Sequence, residues 1–212
     1  MTVPSGKLAL MWLNTYASVV IKTSKLTAIF DPVGIKPDQY NTDVIIVTHE
    51  HSDHFDVNAV TKLCEQSGAT VITTPFVAHQ LKHTSNVKPL QIGDSVAIGG
   101  VKFHAEYSDH PANQPLSFML MVEDGITVYH PSDSKPYAMM KELGQKYQPD
   151  MLLYLGVSPE CGAEIAKLVQ PKVIVSCHLD STESGIFSKR LAREVPEIID
   201  RSIRPFEIYQ CS

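Results

Sequence analysis

The sequence predicts an α/β (α+β) protein in which two similar halves pack sheet against sheet, with helices on the outside. Three observations carry this. Short apolar runs bounded by Gly, Pro or Asn recur along the chain as strands, and several are followed by helical spacing. Asp43-Val44-Ile45-Ile46-Val47, a loop, a helix and Ala69-Thr70-Val71-Ile72-Thr73-Thr74 match Asp150-Met151-Leu152-Leu153-Tyr154, a loop, a helix and Lys172-Val173-Ile174-Val175-Ser176-Cys177. Thr27-Ala28-Ile29-Phe30-Asp31-Pro32 matches Thr127-Val128-Tyr129-His130-Pro131. Gly99-Gly100 marks the midpoint, so a single domain over residues 1–212 divides into halves of about 1–98 and 99–212.

Leu8 to Leu13 and Ser18 to Thr23 form a hairpin around Asn14-Thr15-Tyr16, and Leu26 to Phe30 adds a third strand. Asp31-Pro32 ends it, because proline cannot continue a central strand. Residues 33 to 42 hold Gly34, Pro37 and Asn41 and form a loop. Val44 to Val47 is a fully apolar, buried strand. Asp56 caps a helix whose Val57, Val60, Leu63 and Cys64 share a face, and Gly68 ends it. Thr70 to Thr74 is a strand, Phe76 to His83 a short helix, and 87–91 and 94–98 short strands. Val101 to Tyr107 is a strand leading into a polar loop, Ser108 to Gln114. Leu116 to Val122 and Ile126 to His130 form a hairpin turning at Glu123-Asp124-Gly125. Helices follow at 135–147, around Ala163 to Val169 and at 188–201, with strands at Met151 to Leu155, Val173 to Cys177 and Phe206 to Tyr209.

With 43% hydrophobic and 19% charged residues, the 212-residue chain has the make-up of a well-packed globule. A net charge of -5 and a pI of about 6.0 argue against nucleic acid or anionic lipid as partner. No run reaches the length of a membrane helix, and the start lacks a signal peptide's apolar core. Cys64, Cys161, Cys177 and Cys211 form no CxxC pair, which fits free thiols in a reducing cytoplasm. A small-molecule substrate and possible homo-oligomerisation fit these bounds.

The chemistry concentrates where the Val44–Val47 strand runs into Thr48-His49-Glu50-His51-Ser52-Asp53-His54. Ligands in open α/β sheets sit just past the carboxyl ends of strands. Side chains two apart in an extended loop face the same way, so His49 and His51 can bind one ion, while Asp53 and His54 turn toward a second. Imidazole and carboxylate suit zinc first, with manganese or iron also accommodated. One loop cannot complete two ions, so further ligands must come from elsewhere. Asp133, His178 and His110 each follow a strand. Asp133 equally suits a helix cap, and His110 and His178 equally suit loop or core places. An acidic residue shared between two ions gives the arrangement that activates water. His79 and His83 are four apart on an expected helix, but no nearby carboxylate completes a site there. His130, three residues before Asp133, can orient a ligand or serve a strand end.

With Trp12-Leu13, Asp31-Pro32, the Thr48–His54 motif, Tyr129-His130-Pro131-Ser132-Asp133 and Ser176-Cys177-His178 in this order, the chain resembles the metallo-β-lactamase superfamily. Within it, the chain is similar to small metal-dependent hydrolases of the L-ascorbate-6-phosphate lactonase kind. The resemblance implies a four-layer αβ/βα sandwich with the site at one edge of the paired sheets. It implies two divalent transition metal ions, one held by His49, His51 and His110, the other by Asp53, His54 and His178, with Asp133 bridging. It further implies a bridging hydroxide as nucleophile, oriented by Asp53 as the catalytic carboxylate. His104 competes with His110, which is preferred because it lies in a loop rather than mid-strand.

The chain departs from the family in three places. Asn14-Thr15-Tyr16-Ala17 stands where Gly-His-Ala is usual, Ser132 where Gly precedes the bridging Asp, and Glu50 where a small residue is common. The expected activity is hydrolysis of a small ester, lactone or phosphoester. The competing classes are a non-catalytic metal-binding relative and a di-iron redox protein of the same superfamily. His51 argues against the second, since the redox relatives carry Glu there.

Overall fold

A computed structural model describes residues 2–122 and 125–211. The expected turn at Glu123-Asp124-Gly125 therefore lies partly outside the described residues. The strands are β1 (Leu8–Trp12), β2 (Val19–Lys22), β3 (Thr27–Phe30), β4 (Val44–Val47), β5 (Thr70–Thr73), β6 (Val87–Pro89), β7 (Ser95–Ile98), β8 (Val101–Tyr107), β9 (Leu116–Val122), β10 (Thr127–His130), β11 (Met151–Tyr154), β12 (Val173–Ser176), β13 (Ile199–Asp200) and β14 (Ile208–Cys211). The helices are α1 (Val57–Ser67), α2 (Pro75–Gln80), α3 (Met140–Tyr147), α4 (Pro159–Val169) and α5 (Ser181–Glu194).

The strands form two seven-stranded sheets, ordered β14-β1-β2-β3-β4-β5-β6 and β13-β12-β11-β10-β9-β8-β7. In each, antiparallel strands lead into a parallel run, β3 to β6 in one and β10 to β13 in the other. The equivalence reaches single bonds. Asp43 Oδ2 accepts the Thr27 amide at 2.8 Å, and Asp150 Oδ2 accepts the Thr127 amide at 2.8 Å. The sheets do not part at Gly99, because β7 already pairs with β8 and β14 returns to β1 in the first sheet.

Burial follows the pleat and the helix stripe. Leu8, Leu10, Phe30, Phe103, Phe118 and Leu153 meet between the sheets. A second apolar layer joins β10–β12 to α3, α4 and α5 through Tyr129, Tyr154, Ile165 and Phe187. A third packs Val60, Leu63 and Val77 of α1 and α2 on Ile45, Val47 and Val71. Four layers result, αβ/βα, the sandwich expected from the sequence. Gly144 of α3 lies so close to the backbone of Val169 that a Cβ would come within 2.3 Å of its carbonyl oxygen.

Several boundaries move for local reasons. The helix expected over 135–147 begins at Met140, after a tighter turn in which the Met140 and Lys141 amides bond Tyr137 O and Ala138 O. The helix expected over 188–201 is α5, which starts at Ser181. Asp180 caps it, accepting from the Thr182 and Glu183 amides, and Glu183 reaches back to the Asp180 amide. The Asp180-x-x-Glu183 pattern is a capping box visible in the sequence. Residues 199–200, expected as helix, are strand β13, and the last strand begins at Ile208 rather than Phe206. The helix expected over Phe76 to His83 is α2 and ends at Gln80. No helix among the described residues is long and apolar enough to cross a membrane.

Candidate metal centre

The strand ends at one edge of the sandwich carry the chemistry. β4 ends in Val47, and the loop after it carries His49, His51, Asp53 and His54. Backbone bonds from the His54 and Phe55 amides to His51 O curl that loop back on itself. The loop after β8 carries His110, and the turn after β10 carries Asp133. Ser132 makes that turn in the left-handed region at φ 56, with its amide donating to His130 Nδ1 at 2.9 Å.

His49 is the centre of the cluster. Its ring lies 4.7 Å from that of His51, 4.1 Å from His54 and 4.6 Å from His110. Ligand atoms of His49, His51 and His110 fall within 4.8 Å of one another, and so do those of His49, His54 and Asp133. His110 Nε2 sits 3.0 Å from His51 Nδ1, and Asp133 Oδ2 faces His54 Nε2 at 3.2 Å. Asp53 stands at the rim, its Oδ2 3.8 Å from His54 Nε2. Asp53 and His178 complete neither close group. His178 follows β12 in the left-handed conformation, with a buried Nδ1 that no group satisfies.

His104 is on the other side of its strand. β8 alternates, so Val101, Phe103 and Ala105 enter the core while His104 and Glu106 share the opposite face. His104 Nε2 pairs with Glu106 Oε1 at 3.1 Å and its Nδ1 with Ser95 Oγ at 2.7 Å. His110, not His104, is therefore the histidine brought to His49 and His51. His79 is exposed on the last turn of α2, and His83 lies beyond the helix end, so they share no helix face.

Asp31 is the residue whose part in the centre the motif did not reveal. It is fully buried, with φ 45, at the end of β3. Its Oδ1 accepts the Thr48 amide at 2.8 Å. Its Oδ2 accepts from Thr48 Oγ1 at 3.0 Å and contacts His54 Nδ1 at 2.8 Å. A carboxylate behind a histidine fixes the ring and leaves the other nitrogen facing the site, as behind metal-ligating histidines. The sequence signal was Asp31-Pro32 at a strand end, equivalent in the repeat to Pro131 and the Asp133 turn. His130 packs beneath, its ring stacked on Phe30 at 4.5 Å, and shapes the turn that presents Asp133.

The electrostatics follow the packing. Burial, then the charge of His54, pushes His49 down to about 2, so its imidazole is neutral. Burial also pushes His130 down to about 4. Burial works against a charged His54 too, but Asp31 and Asp133 outweigh it and raise its pKa to about 10. Burial raises Asp133, yet its bond to His54 and the surrounding imidazoles bring it down to about 2. In the chelated protein a proton thus rests on His54 between two carboxylates, where a cation is favoured.

Linkage sets the signs. His54, raised above its unfolded 6.5, contributes stability below pH 6.5 that is lost as pH rises through about 10. His49 and His130, depressed from 6.5, contribute stability above pH 6.5 that is lost as pH falls. Thermal melts of EDTA-treated protein are expected to peak near pH 6.5 and fall on both sides. A melting temperature rising steadily from pH 7 to 10 would contradict the His54 assignment.

The donor set fits metal ions. His49 Nε2 and His178 Nδ1 are buried with no hydrogen-bond partner, an arrangement that costs stability unless a cation accepts their lone pairs. Residues 9–178 match the family described as beta-lactamase superfamily domain.

The chain belongs to this superfamily.

A metal-dependent hydrolase of Rubrobacter xylanophilus is 33% identical over 155 residues, spanning 64% of this chain and 63% of that protein. Another, from Bacillus subtilis, is 30% identical over 192 residues, or 78% of this chain and 83% of that protein. Igni18, a metallo hydrolase from Ignicoccus hospitalis, shares the fold with a TM-score of 0.83 at 18% identity, covering 97% of this chain and 99% of its own. With these relatives, the chain is a metal-dependent hydrolase of the superfamily, with a histidine and aspartate group suited to the metal.

Proposed function

We propose that the protein is a dinuclear hydrolase of a small ester, lactone or phosphoester. The observation that carries this reading is the sharing of His49 between two ligand groups, with Asp133 against His54. His49, His51 and His110 would hold one divalent ion. His54, with Asp53 and His178, would hold the other, and Asp133 would serve both. Zinc suits the donors first, and manganese or iron can take the same set. Such ions, when bound, lower the pKa of water toward neutrality and polarise a carbonyl or phosphoryl group.

The chain's own residues do the rest. Asp31 holds His54 by Nδ1, so the ring cannot turn away from the site. Thr48 Oγ1, 3.0 Å from His49 Nδ1, orients that ring, leaving the buried, unpartnered Nε2 as the nitrogen that would meet an ion. Asp53 has a side chain 43% exposed, the carboxylate at the solvent edge, where Oδ2 can accept a proton from an attacking water. Asn14 and Tyr16 pack on the turn after β3, where Asn14 Nδ2 donates to Val33 O at 2.5 Å and Tyr16 covers Gly34. They stand where the resembled family carries Gly-His-Ala, so a substrate pocket reaching this turn would differ from those of such relatives.

Elemental analysis of protein purified without chelator is expected to find about two equivalents of transition metal. A screen of simple lactones, carboxylic esters and phosphoesters is expected to show turnover that EDTA abolishes and added metal restores. Absence of metal after reconstitution would overturn the reading.

A further inference from the structure

We propose that Glu50 is a positioning residue: its carboxylate fastens the loop that carries His110 to the loop that carries His49 and His51. Glu50 lies between those two histidines in the loop after β4. Its Oε1 accepts from the Asn113 amide at 2.8 Å and from Asn113 Nδ2 at 2.6 Å. One carboxylate oxygen taking two N–H donors from one residue makes a charge-assisted clasp with a fixed direction. Its Oε2 is buried with no partner, so the carboxylate is held by the clasp rather than turned to water.

The loop needs such a hold. Upstream of His110, Asp109 is pinned to the Asp133 turn, its amide donating to Ser134 Oγ at 2.9 Å and its carbonyl accepting from the Lys135 amide at 2.9 Å. Downstream, the Leu116 amide returns to Thr48 O at 3.1 Å. Between these anchors the residues are largely exposed, and the His110 ring rests on the imidazoles of His49 and His51 and on the Asp133 turn. Glu50–Asn113 is the hydrogen-bonded link from the described residues 111–115 to the His49 loop. The geometry of the His49, His51 and His110 group therefore depends on a residue that is not a ligand.

The metal part of the test rests on the proposed two-ion function, and the exchange part does not. In chelated protein, hydrogen exchange over residues 109–115 is expected to be faster in Glu50→Ala than in the native chain, with the rest of the fold unchanged. In cobalt titrations, Glu50→Ala is expected to weaken, by about 10–100-fold, the same binding step that His110→Ala weakens. It should also change the cobalt absorption of that step. Asn113→Ala should produce a smaller loss in the same step, the double variant should be no worse than Glu50→Ala, and Glu50→Gln should restore most of the affinity. If Glu50→Ala does not fold, the exposed Asn113→Ala carries the comparison. Native exchange over 109–115 in Glu50→Ala, or independent, additive effects of Glu50→Ala and Asn113→Ala, would overturn the proposal. A native protein that binds no cobalt overturns the two-ion function, while the exchange comparison still decides the role of Glu50.

Discussion

Asp133→Ala is expected to remove metal binding and hydrolysis together, and His51→Ala to do the same, while His79→Ala changes neither. Asp133 sits against His54 Nε2 and completes one of the two groups around His49. Its loss would leave a buried proton on His54 with one carboxylate instead of two, and would take away the acidic donor nearest both groups. Removal of an outer partner of a ligand costs about 10–100-fold in metal affinity, so, with Asp133 as the proposed ligand of both ions, its removal should exceed that. His51 belongs to the other group and contacts His110. His79 is exposed on α2 and joins neither group. Metal content and turnover measured on the three variants check this. Depletion of metal in His79→Ala would refute the assignment of the centre.

Asp31→Ala is expected to destabilise the chelated protein by about 3–5 kcal/mol, the scale for breaking a buried ion pair from one side. Two losses combine. The protonated His54 would lose its partner at Nδ1, and the Thr48 amide and hydroxyl would lose their acceptors inside the fold. Asp31→Asn keeps an acceptor for Thr48 and tolerates the positive φ, so its loss should be smaller. Urea denaturation of the EDTA-treated proteins measures both. A loss below about 1 kcal/mol for Asp31→Ala would show that the buried pair does not hold the β4 loop.

Much of this could be read from the chain because the signals are local. β4 is legible as four apolar residues in a row, and α1 as a face spaced between Asp56 and Gly68. The repeat of Thr27 and Asp43 in Thr127 and Asp150 is legible because the same capping bond recurs in both sheets. The start of α5 is in the sequence too, as the Asp180 to Glu183 capping box, upstream of the start expected at 188. β13 was missed because two residues carry no usable period.

By itself the sequence determined the kind of centre and one wall of it. Imidazoles and carboxylates crowded into His49 to His54 just past a buried strand need little beyond that strand to define a ligand loop. Only the tertiary structure decided which distant residues meet that loop. Pleat parity sends His104 to the far face with Glu106, while the loop beyond β8 returns His110 to His49. The left-handed turn at Ser132 aims Asp133 at His54, and the end of β3 puts Asp31 behind the same ring. The pleat that turns His104 away is a local period, but the other contacts join residues far apart in the chain, are set by sheet order and turn geometry, and no local period encodes them.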